Sequence, residues 1–290
     1  MRSQLYARLG ACVNSGACWA IVLLTLAPLP SHATEVTEAS PLAGPGRVFH
    51  PFPLASLTHA AASVVNPAGL AGRVSSDFFV LFTDADEIRD GDTAYLLKMK
   101  TLGLAYERFD PLAGRASVSR LTVGFGRAFS PSLALGASYA WFFSEDDGLA
   151  DLSSLDFGLR ALAGSRIALA VAAYGWNVPD LDGVAIPREF AAGLELAPIT
   201  QWLGLFVEGT MTSEQSLGDA TAAYGAELEP FSGLILRGRA DTDGDFRFGL
   251  EFNYNQTAFG ILGLYRHGGG SDGRAAYSRL VDVPYSRGAR

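Results

Sequence analysis

The 290-residue chain has little of what thiol, disulfide and metal chemistry requires, since it contains only two cysteines and four histidines. Both cysteines, Cys12 and Cys18, lie close to the N-terminus, in a segment predicted below to be removed. The remaining chain has no His-Glu-x-x-His spacing and no cysteine that could accompany a histidine as a ligand. The sequence therefore predicts no disulfide, no metal site and no cofactor.

Two further scarcities narrow the class of protein. Beyond residue 33 no apolar run reaches the roughly 20 residues that a membrane-spanning helix needs. Basic residues are also few, because removal of Arg2 and Arg8 leaves 20 lysines and arginines against 30 acidic residues, a net charge of −10. An acidic chain of this kind does not offer the basic surface that phosphate recognition demands, so nucleic acid is excluded as a partner.

The N-terminus has the three parts of a secretory signal. Arg2 and Arg8 precede an apolar run over residues 17–29, and Ser31-His32-Ala33 follows it as an A-x-A-like cleavage site. A membrane anchor is the alternative, but the run is shorter than a spanning helix and is followed by a cleavage site. Residues 1–33 are predicted to be a signal peptide.

What the chain has in abundance is two-residue alternation. Between Phe246 and Tyr254 large apolar side chains occupy every second position, with Arg247, Gly249, Glu251 and Asn253 between them. This is the pattern of a strand with two different faces. The same alternation recurs between turn-rich breaks, and it predicts fourteen strands, at 76–83, 93–99, 101–108, 117–129, 132–143, 152–163, 165–176, 186–196, 202–212, 220–229, 233–241, 245–254, 257–267 and 274–283.

The strand count depends on residues 93–108. Apolar residues occupy odd positions up to Met99 and even positions from Leu102, and such a phase change indicates either a tight turn or a β-bulge. A bulge would merge two strands, and because single-chain bacterial barrels have even strand numbers, twelve is the alternative to fourteen.

The second face of the strands distinguishes a membrane barrel from a soluble sandwich, whose outer face is charged or rich in threonine. Opposite Leu133, Leu135, Tyr139 and Trp141 stand Ala134, Gly136, Ser138 and Ala140. Large apolar residues facing lipid and small ones facing a narrow lumen fit an all-β, transmembrane, antiparallel up-and-down β-barrel over residues 76–290. Together with the signal, this predicts localisation in the outer membrane, in contact with its lipid.

Residues 34–75 differ from the barrel region, being rich in proline, glycine and small residues, with one short helix predicted at 54–63. They end in Asn66-Pro67-Ala68-Gly69-Leu70-Ala71, immediately before the first strand. An N-terminal segment ending in Asn-Pro-Ala before an alternating strand resembles the FadL-like outer-membrane transporters of hydrophobic compounds and the related PorV-like barrels. The resemblance implies a 14-stranded barrel, residues 34–75 as a plug, and Asn66, Pro67 and Ala68 holding that plug against the wall.

Charged residues on the small-residue face are predicted to lie in the lumen and to form ion pairs, because an unpaired buried charge is costly. The predicted lumenal polar residues are Arg237, Arg239, Arg247, Glu251 and Asn253, together with Glu189, Glu195, Glu208 and Glu227.

Enzymatic chemistry has little support in the sequence. An outer-membrane hydrolase would need a histidine, and His267 is the only one within the predicted barrel. Asp241-Thr242-Asp243-Gly244-Asp245 resembles the start of a calcium loop, but a strand begins at Phe246, which favours a polar hairpin turn. The protein is therefore expected not to be an enzyme.

Two functional classes remain open. The resemblance and the small lumenal residues favour passive transport of small hydrophobic molecules across the outer membrane. The PorV-like relatives favour instead a non-transporting barrel that anchors or shuttles a partner protein.

Overall fold

The computed structural model describes residues 43–49, 52–72, 76–84, 92–110, 116–164, 166–177, 179–196, 202–254, 257–265 and 273–282. The predicted signal peptide, the start and the end of the predicted plug, His267 and the C-terminal tail lie outside these ranges. The domain boundaries at residues 33 and 75 therefore stay predictions.

Fourteen antiparallel strands close into one barrel. Each strand pairs with its neighbour along the chain, and the first strand pairs with the last in the register Phe78 to Leu280, so the sheet has no free edge. The barrel strands are β1 (Ser76–Asp84), β2 (Thr93–Met99), β3 (Leu102–Phe109), β4 (Val118–Ser130), β5 (Leu133–Ser144), β6 (Ser153–Ala163), β7 (Ile167–Tyr174), β10 (Glu189–Leu196), β11 (Leu203–Thr212), β12 (Thr221–Phe231), β13 (Leu234–Asp241), β14 (Phe246–Tyr254), β15 (Thr257–Tyr265) and β16 (Gly273–Asp282).

The prediction of fourteen strands is confirmed, and the phase change near residue 100 is a tight turn. Lys100 takes a φ of 57° between β2 and β3, which then pair directly from Met99–Leu102 to Thr93–Arg108. The apolar residues therefore keep to one face of the sheet on both strands.

Connections at the two ends of the barrel differ in length. One end, here named the tight-turn end, has connections such as 100–101, 131–132 and 232–233. The other, the long-loop end, carries longer ones, including helix α3 (Asp147–Ala150), the hairpin of β8 (Asp180–Leu181) and β9 (Val184–Ala185), and the 3₁₀ turn Leu217–Asp219. Outer-membrane barrels place their short turns on the periplasmic side.

The outer surface of the wall is apolar, as expected for contact with lipid. Phe125 is 52% exposed and Phe259 58% exposed on this surface. Aromatic residues also mark the strand ends, with Phe129 and Tyr254 exposed at the tight-turn end and Trp176 and Tyr265 at the long-loop end. Among the described residues, no helix is both long enough and apolar enough to cross a membrane.

Residues 43–49 and 52–72, here named the lumenal segment, lie inside the barrel. They contain helix α1 (Pro45–Val48), helix α2 (Ala62–Val65) and a 3₁₀ turn (Pro67–Ala71). The predicted helix at 54–63 is wrong: Leu54–Ser56 form a turn, and the helix begins only at Ala62. Small residues such as Ala60 and Ala61 suit close packing inside the barrel and carry no helical periodicity, which explains the error.

The core of the molecule lies between the lumenal segment and the inner face of the wall. Leu57, Ala60 and Val65 of the segment pack with inward residues such as Phe79 and Leu96. A barrel of this width therefore has its interior filled by the N-terminal chain as well as by its own side chains.

Candidate functional site

Asn66 fixes the conformation of the Asn-Pro-Ala motif. Its side-chain Oδ1 accepts a hydrogen bond from the Ala68 N–H at 3.2 Å, and its backbone oxygen accepts one from Gly69 at 2.9 Å. This is an N-cap, and Pro67 at the first helical position is preorganised for the turn that follows. The Asn66 Nδ2 donates to the Leu159 backbone oxygen of β6 at 3.4 Å, which joins the motif to the wall.

The wall opposite this motif consists of glycines, here named the glycine row: Gly124 and Gly126 of β4, Gly136 of β5 and Gly158 of β6. Gly126 pairs with Gly136, and Gly136 pairs with Gly158, so these three are adjacent across the strands. A Cβ on Gly126 would lie 2.5 Å from the Ala71 nitrogen and 2.8 Å from the Pro67 oxygen.

Gly136 and Gly158 lie even closer to the motif than Gly126 does. A Cβ on Gly136 would overlap the Pro67 carbonyl and the Ala68 nitrogen, and one on Gly158 would overlap the Asn66 Oδ1. Only glycine lets two backbones approach to this distance. We name this contact between residues 66–71 and the glycine row the seal.

The preceding helix is also tied to the wall. The Tyr174 hydroxyl of β7 donates to the Val65 backbone oxygen at 2.5 Å, at the C-terminus of α2. The carbonyl groups at a helix end lack intrahelical partners, so this bond satisfies one of them. The N-terminal side of the seal is thus tied to both β6 and β7.

Three buried carboxylates of the wall each pair with an arginine and also accept a hydrogen bond from the lumenal segment. Glu107 pairs with Arg120 and accepts from the Gly46 nitrogen at 2.9 Å. Glu208 pairs with Arg239 and accepts from the Leu54 nitrogen at 2.6 Å.

The third carboxylate lies on β1, next to the strand that closes the barrel. Asp77 pairs with Arg279 at 3.0 Å and accepts from the Ala60 nitrogen at 3.1 Å. The three sites are spread along the segment from residue 46 to residue 60. At each site the carboxylate accepts a hydrogen bond from a backbone N–H that would otherwise be buried without a partner.

Two cationic side chains of the wall donate hydrogen bonds to backbone oxygens of the same segment. The Lys98 Nζ donates to the Thr58 oxygen at 2.5 Å, and the Arg160 Nε donates to the Ala55 oxygen at 2.7 Å. The lumenal charges therefore act largely as supports for the segment. The set of lumenal polar residues predicted from the sequence does not include Asp77, Lys98, Glu107, Arg120 and Arg160, although each lies on the inward face of its strand.

Most of the predicted lumenal residues lie inside the barrel in ion pairs. Arg237 contacts Glu227 at 2.7 Å and Glu251 at 3.0 Å, and it lies 4.3 Å from the ring of Phe52 in the segment. The Asn253 Nδ2 donates to Glu251 at 2.8 Å, and Tyr277 donates to the same carboxylate. Arg239 pairs with Glu208 as described.

Glu189 forms the corresponding pair near the long-loop end. It contacts Arg47 of α1, whose guanidinium carbon lies 3.6 Å from the ring centre of Tyr174. Burial lowers the pKa of Arg47, but Glu189 and Tyr174 outweigh it, so the pKa lies above its ordinary value. Arg47 therefore keeps its charge and fixes α1 beside β7 and β10.

Two of the predicted residues depart from the expected pairing. Within the described part of the chain, Arg247 has no carboxylate at salt-bridge distance, and its Nε is buried without a hydrogen-bond partner. The expected ion pair of Arg247 is therefore wrong; its cross-strand partner is Arg239, which carries the same charge. Glu195 likewise has a buried Oε2 without a partner.

A cavity of about 500 Å³ lies directly beyond the seal, toward the tight-turn end. Its wall side is formed by Ala128, Ala134 and Arg160, the next inward residues after Gly126, Gly136 and Gly158. Its other side is formed by Ser56, Thr58, Ala71 and Gly72 of the lumenal segment. Because Ala71 belongs to the seal, the seal borders this cavity.

The described residues contain no group of three or more histidine, aspartate or glutamate side chains placed to hold a metal ion. Residues 241–245 form the hairpin turn expected from the sequence, with the Gly244 nitrogen donating to the Asp241 oxygen at 3.1 Å. Gly244 takes a φ of 89°, which explains the glycine there.

Several solved structures share this architecture. The Ralstonia pickettii toluene transporter TbuX aligns with 86% of this chain and 98% of its own, with a TM-score of 0.55 and 11% sequence identity. The Pseudomonas putida toluene transporter TodX aligns with 80% of this chain and 98% of its own, with a TM-score of 0.54 and 10% identity. A FadL homologue of Pseudomonas aeruginosa gives 0.50 and 11% identity over 88% of this chain and 98% of its own.

The barrel has the FadL-type fold. The resemblance drawn from the Asn-Pro-Ala motif is confirmed at the level of the fold. No family model matches the sequence, and no curated protein matches it either. The chain therefore shares its architecture with these transporters, while its sequence is too different from theirs for residues to be compared.

Proposed function

We propose that the protein is a passive transporter of small hydrophobic molecules across the outer membrane. The observation that carries the proposal is the seal, a main-chain contact between one short 3₁₀ turn and the wall of a closed barrel. The proteins that share its fold include transporters of toluene and a monoaromatic hydrocarbon channel. A non-enzymatic role fits this proposal.

The seal suits a gate because it can move without disturbing the barrel. Residues 67–71 form a single turn, whereas β4, β5 and β6 are each bonded to two neighbouring strands. Displacement of the turn would extend the cavity at the tight-turn end along the glycine row. The small side chains at Ala128 and Ala134 then leave room for a solute.

In this proposal Asn66, Pro67 and Ala68 each have a defined role in the seal. Asn66 holds the turn to β6, Pro67 faces Gly126 and Gly136, and the buried Ala68 completes the contact. The lumenal ion pairs around Glu107, Glu208 and Asp77 keep the rest of the segment in place. Only the turn, and not the whole segment, is proposed to move.

Uptake of radiolabelled toluene by whole cells tests the proposal. Cells are the appropriate system because hydrocarbons dissolve in simple phospholipid bilayers, whereas the intact outer membrane retains its barrier. Cells that produce the protein are expected to take up toluene faster than cells with an empty vector. Equal rates, at equal amounts of folded barrel in the outer membrane, would contradict the proposal.

Deletion of residues 34–65, the obvious way to open the barrel, is a poor test. It removes Leu54, Leu57 and Val65, which belong to the buried core. Loss of uptake after that deletion could reflect loss of the barrel itself. Substitutions at the glycine row disturb the seal and leave this core in place.

The alternative of a barrel that anchors or shuttles a partner protein stays a prediction from the sequence. It would gain support if toluene uptake were absent and a defined protein co-purified with the barrel in stoichiometric amount.

A further inference from the structure

We propose that the cavity beneath the seal is a binding site for a small organic anion, a carboxylate on a short apolar or aromatic body. The inference goes beyond the proposed function, because it adds an anionic class of solute to the hydrophobic one, and it rests on that function for its role in transport. Binding itself requires only the closed barrel.

The cavity has the size and the two-sided chemistry of a ligand site. Its volume of about 500 Å³ falls within the range of about 300–1,000 Å³ found for small-molecule sites. Ala71, Ala128, Ala134 and Leu162 provide apolar surface, while Ser56 and Thr58 add hydroxyl groups. It opens at the tight-turn end, beside Ser130 and Ser132.

Arg160 is the charged residue of this cavity. Its Nε is used in the bond to the Ala55 oxygen, which fixes the orientation of the guanidinium. The two terminal nitrogens have no hydrogen-bond partner within the described residues, and no carboxylate there lies within salt-bridge distance. Four N–H donors on a fixed planar group are thus unpaired where the cavity begins.

A carboxylate fits these donors better than a neutral polar group does. A guanidinium binds a carboxylate through two parallel N–H···O bonds, and such charge-assisted bonds are stronger than neutral ones. Glu195 is the acidic residue whose field acts on Arg160, but it forms no ion pair with it. The cation is therefore available to a ligand.

The position of Arg160 determines how a ligand would be oriented in the cavity. Arg160 follows Gly158 on the same face of β6, so the anion would lie immediately below the point where Asn66 contacts the wall. Its apolar body would then rest against Ala128 and Ala134. A solute released from the seal would meet this site before leaving the barrel.

Equilibrium binding of benzoate to the purified full-length barrel in detergent, measured by calorimetry, tests the proposal. Benzoate is expected to bind, and toluene, which lacks the carboxylate, to bind at least about tenfold more weakly. Arg160→Gln is expected to weaken benzoate binding by about tenfold or more, because it removes the charge. Ala128→Phe, which fills the cavity and leaves Arg160 in place, should also weaken it.

Two arginines outside the cavity serve as controls. Arg127 lies on the outward face of β4 beside Phe129, so Arg127→Gln should leave binding unchanged. Arg247→Gln should do the same, whereas a loss confined to that variant would place the anion at the Arg239 and Arg247 pair and overturn the proposal.

Absence of benzoate binding, or binding that survives both Arg160→Gln and Ala128→Phe, would also overturn it. If Arg160→Gln failed to fold, the Ala128→Phe result would decide. Because the measurement involves no transport, benzoate binding in a protein that does not take up toluene would reject the proposed function alone.

Discussion

Replacement of Gly126 by alanine should loosen the seal and leave the barrel intact. A Cβ at this position would lie 2.5 Å from the Ala71 nitrogen, 2.8 Å from the Pro67 oxygen and 2.9 Å from the Leu70 Cβ. Since ordinary contacts begin near 3.4 Å, the turn must move by about 0.9 Å, the difference between the first distance and this limit. Overpacking of this kind costs about 1–3 kcal/mol.

The turn, and not the strand, is expected to yield. The 3₁₀ turn has only five residues, and backbone bonds from Gly69 to Asn66 and from Gly72 to Gly69 lie at its two ends. β4 pairs with β5 from Val118 to Ser130 and with β3 from Val118 to Phe125, and the Gly126 nitrogen donates to the Thr101 oxygen at 2.9 Å. A cost of about 2 kcal/mol that falls on the seal would raise the population of its displaced state by about 30-fold.

Hydrogen exchange of the peptide containing residues 66–72 measures this displacement directly. Exchange should become about 30-fold faster in Gly126→Ala, in line with the population of the open state, and toluene uptake should increase. Gly124→Ala should have a much smaller effect, because its Cβ meets nothing closer than the flexible Leu70 side chain at 3.0 Å.

Gly209→Ala is the matched control on β11, since a Cβ there meets nothing closer than 4.0 Å. It should leave exchange and uptake unchanged. The reasoning is refuted if Gly126→Ala exchanges like the wild type, or if Gly209→Ala accelerates exchange to the same extent.

Three further predictions concern the lumen and the membrane. Arg237→Leu should lower the free energy of unfolding by about 3–5 kcal/mol, because it leaves Glu227 and Glu251 without their cation. Arg247→Leu breaks no ion pair and should change the free energy of unfolding by less than about 1 kcal/mol. Equal unfolding midpoints for the two variants would contradict this. Asn66→Ala removes the cap and the bond to β6 and should cost about 0.5–2 kcal/mol, seen as faster exchange of residues 66–72 with an unchanged barrel midpoint. The protein should fractionate with the outer membrane and migrate differently on gels with and without boiling, because a closed strand ladder resists detergent; recovery in the soluble periplasmic fraction would be inconsistent with the account.

The wall of the barrel could be predicted because each strand shows the same alternation of outward and inward residues. Residues 246–252 alternate between large apolar side chains that face outward and small or charged side chains that face inward, and the structure keeps that assignment. The turn at Lys100 was open between two geometries, because a phase change in the sequence does not distinguish a turn from a bulge.

The interior was less predictable, because its contacts join distant parts of the chain. The helices Pro45–Val48 and Ala62–Val65 are too short to show helical periodicity. The glycines at 126, 136 and 158 are ordinary strand residues in the sequence, and only the register of β4, β5 and β6 brings them into one row. Glu107 and Asp77 lie on the predicted lumenal face, yet their bonds to Gly46 and Ala60 depend on a path of the lumenal segment that no local pattern specifies.

A reversible cross-link between the lumenal segment and the wall tests how much of the segment must move. A Cβ built on Gly193 of β10 would lie 3.2 Å from the Leu54 Cβ, close to the distance of about 3.5–4.5 Å found in disulfides. Leu54→Cys with Gly193→Cys can therefore form a disulfide, and Cys12 and Cys18 are the only native cysteines. Oxidation should leave toluene uptake nearly unchanged, because residue 54 lies outside the seal.

The central claim, that the contact of residues 66–71 with the glycine row controls passage of hydrophobic molecules, is tested most directly by toluene uptake in cells that produce equal amounts of wild type, Gly126→Ala and Gly209→Ala barrels. The account predicts uptake above the empty-vector rate for wild type, a further increase for Gly126→Ala, and no change from wild type for Gly209→Ala. Uptake at the empty-vector rate in all three, with each barrel folded in the outer membrane, would contradict it.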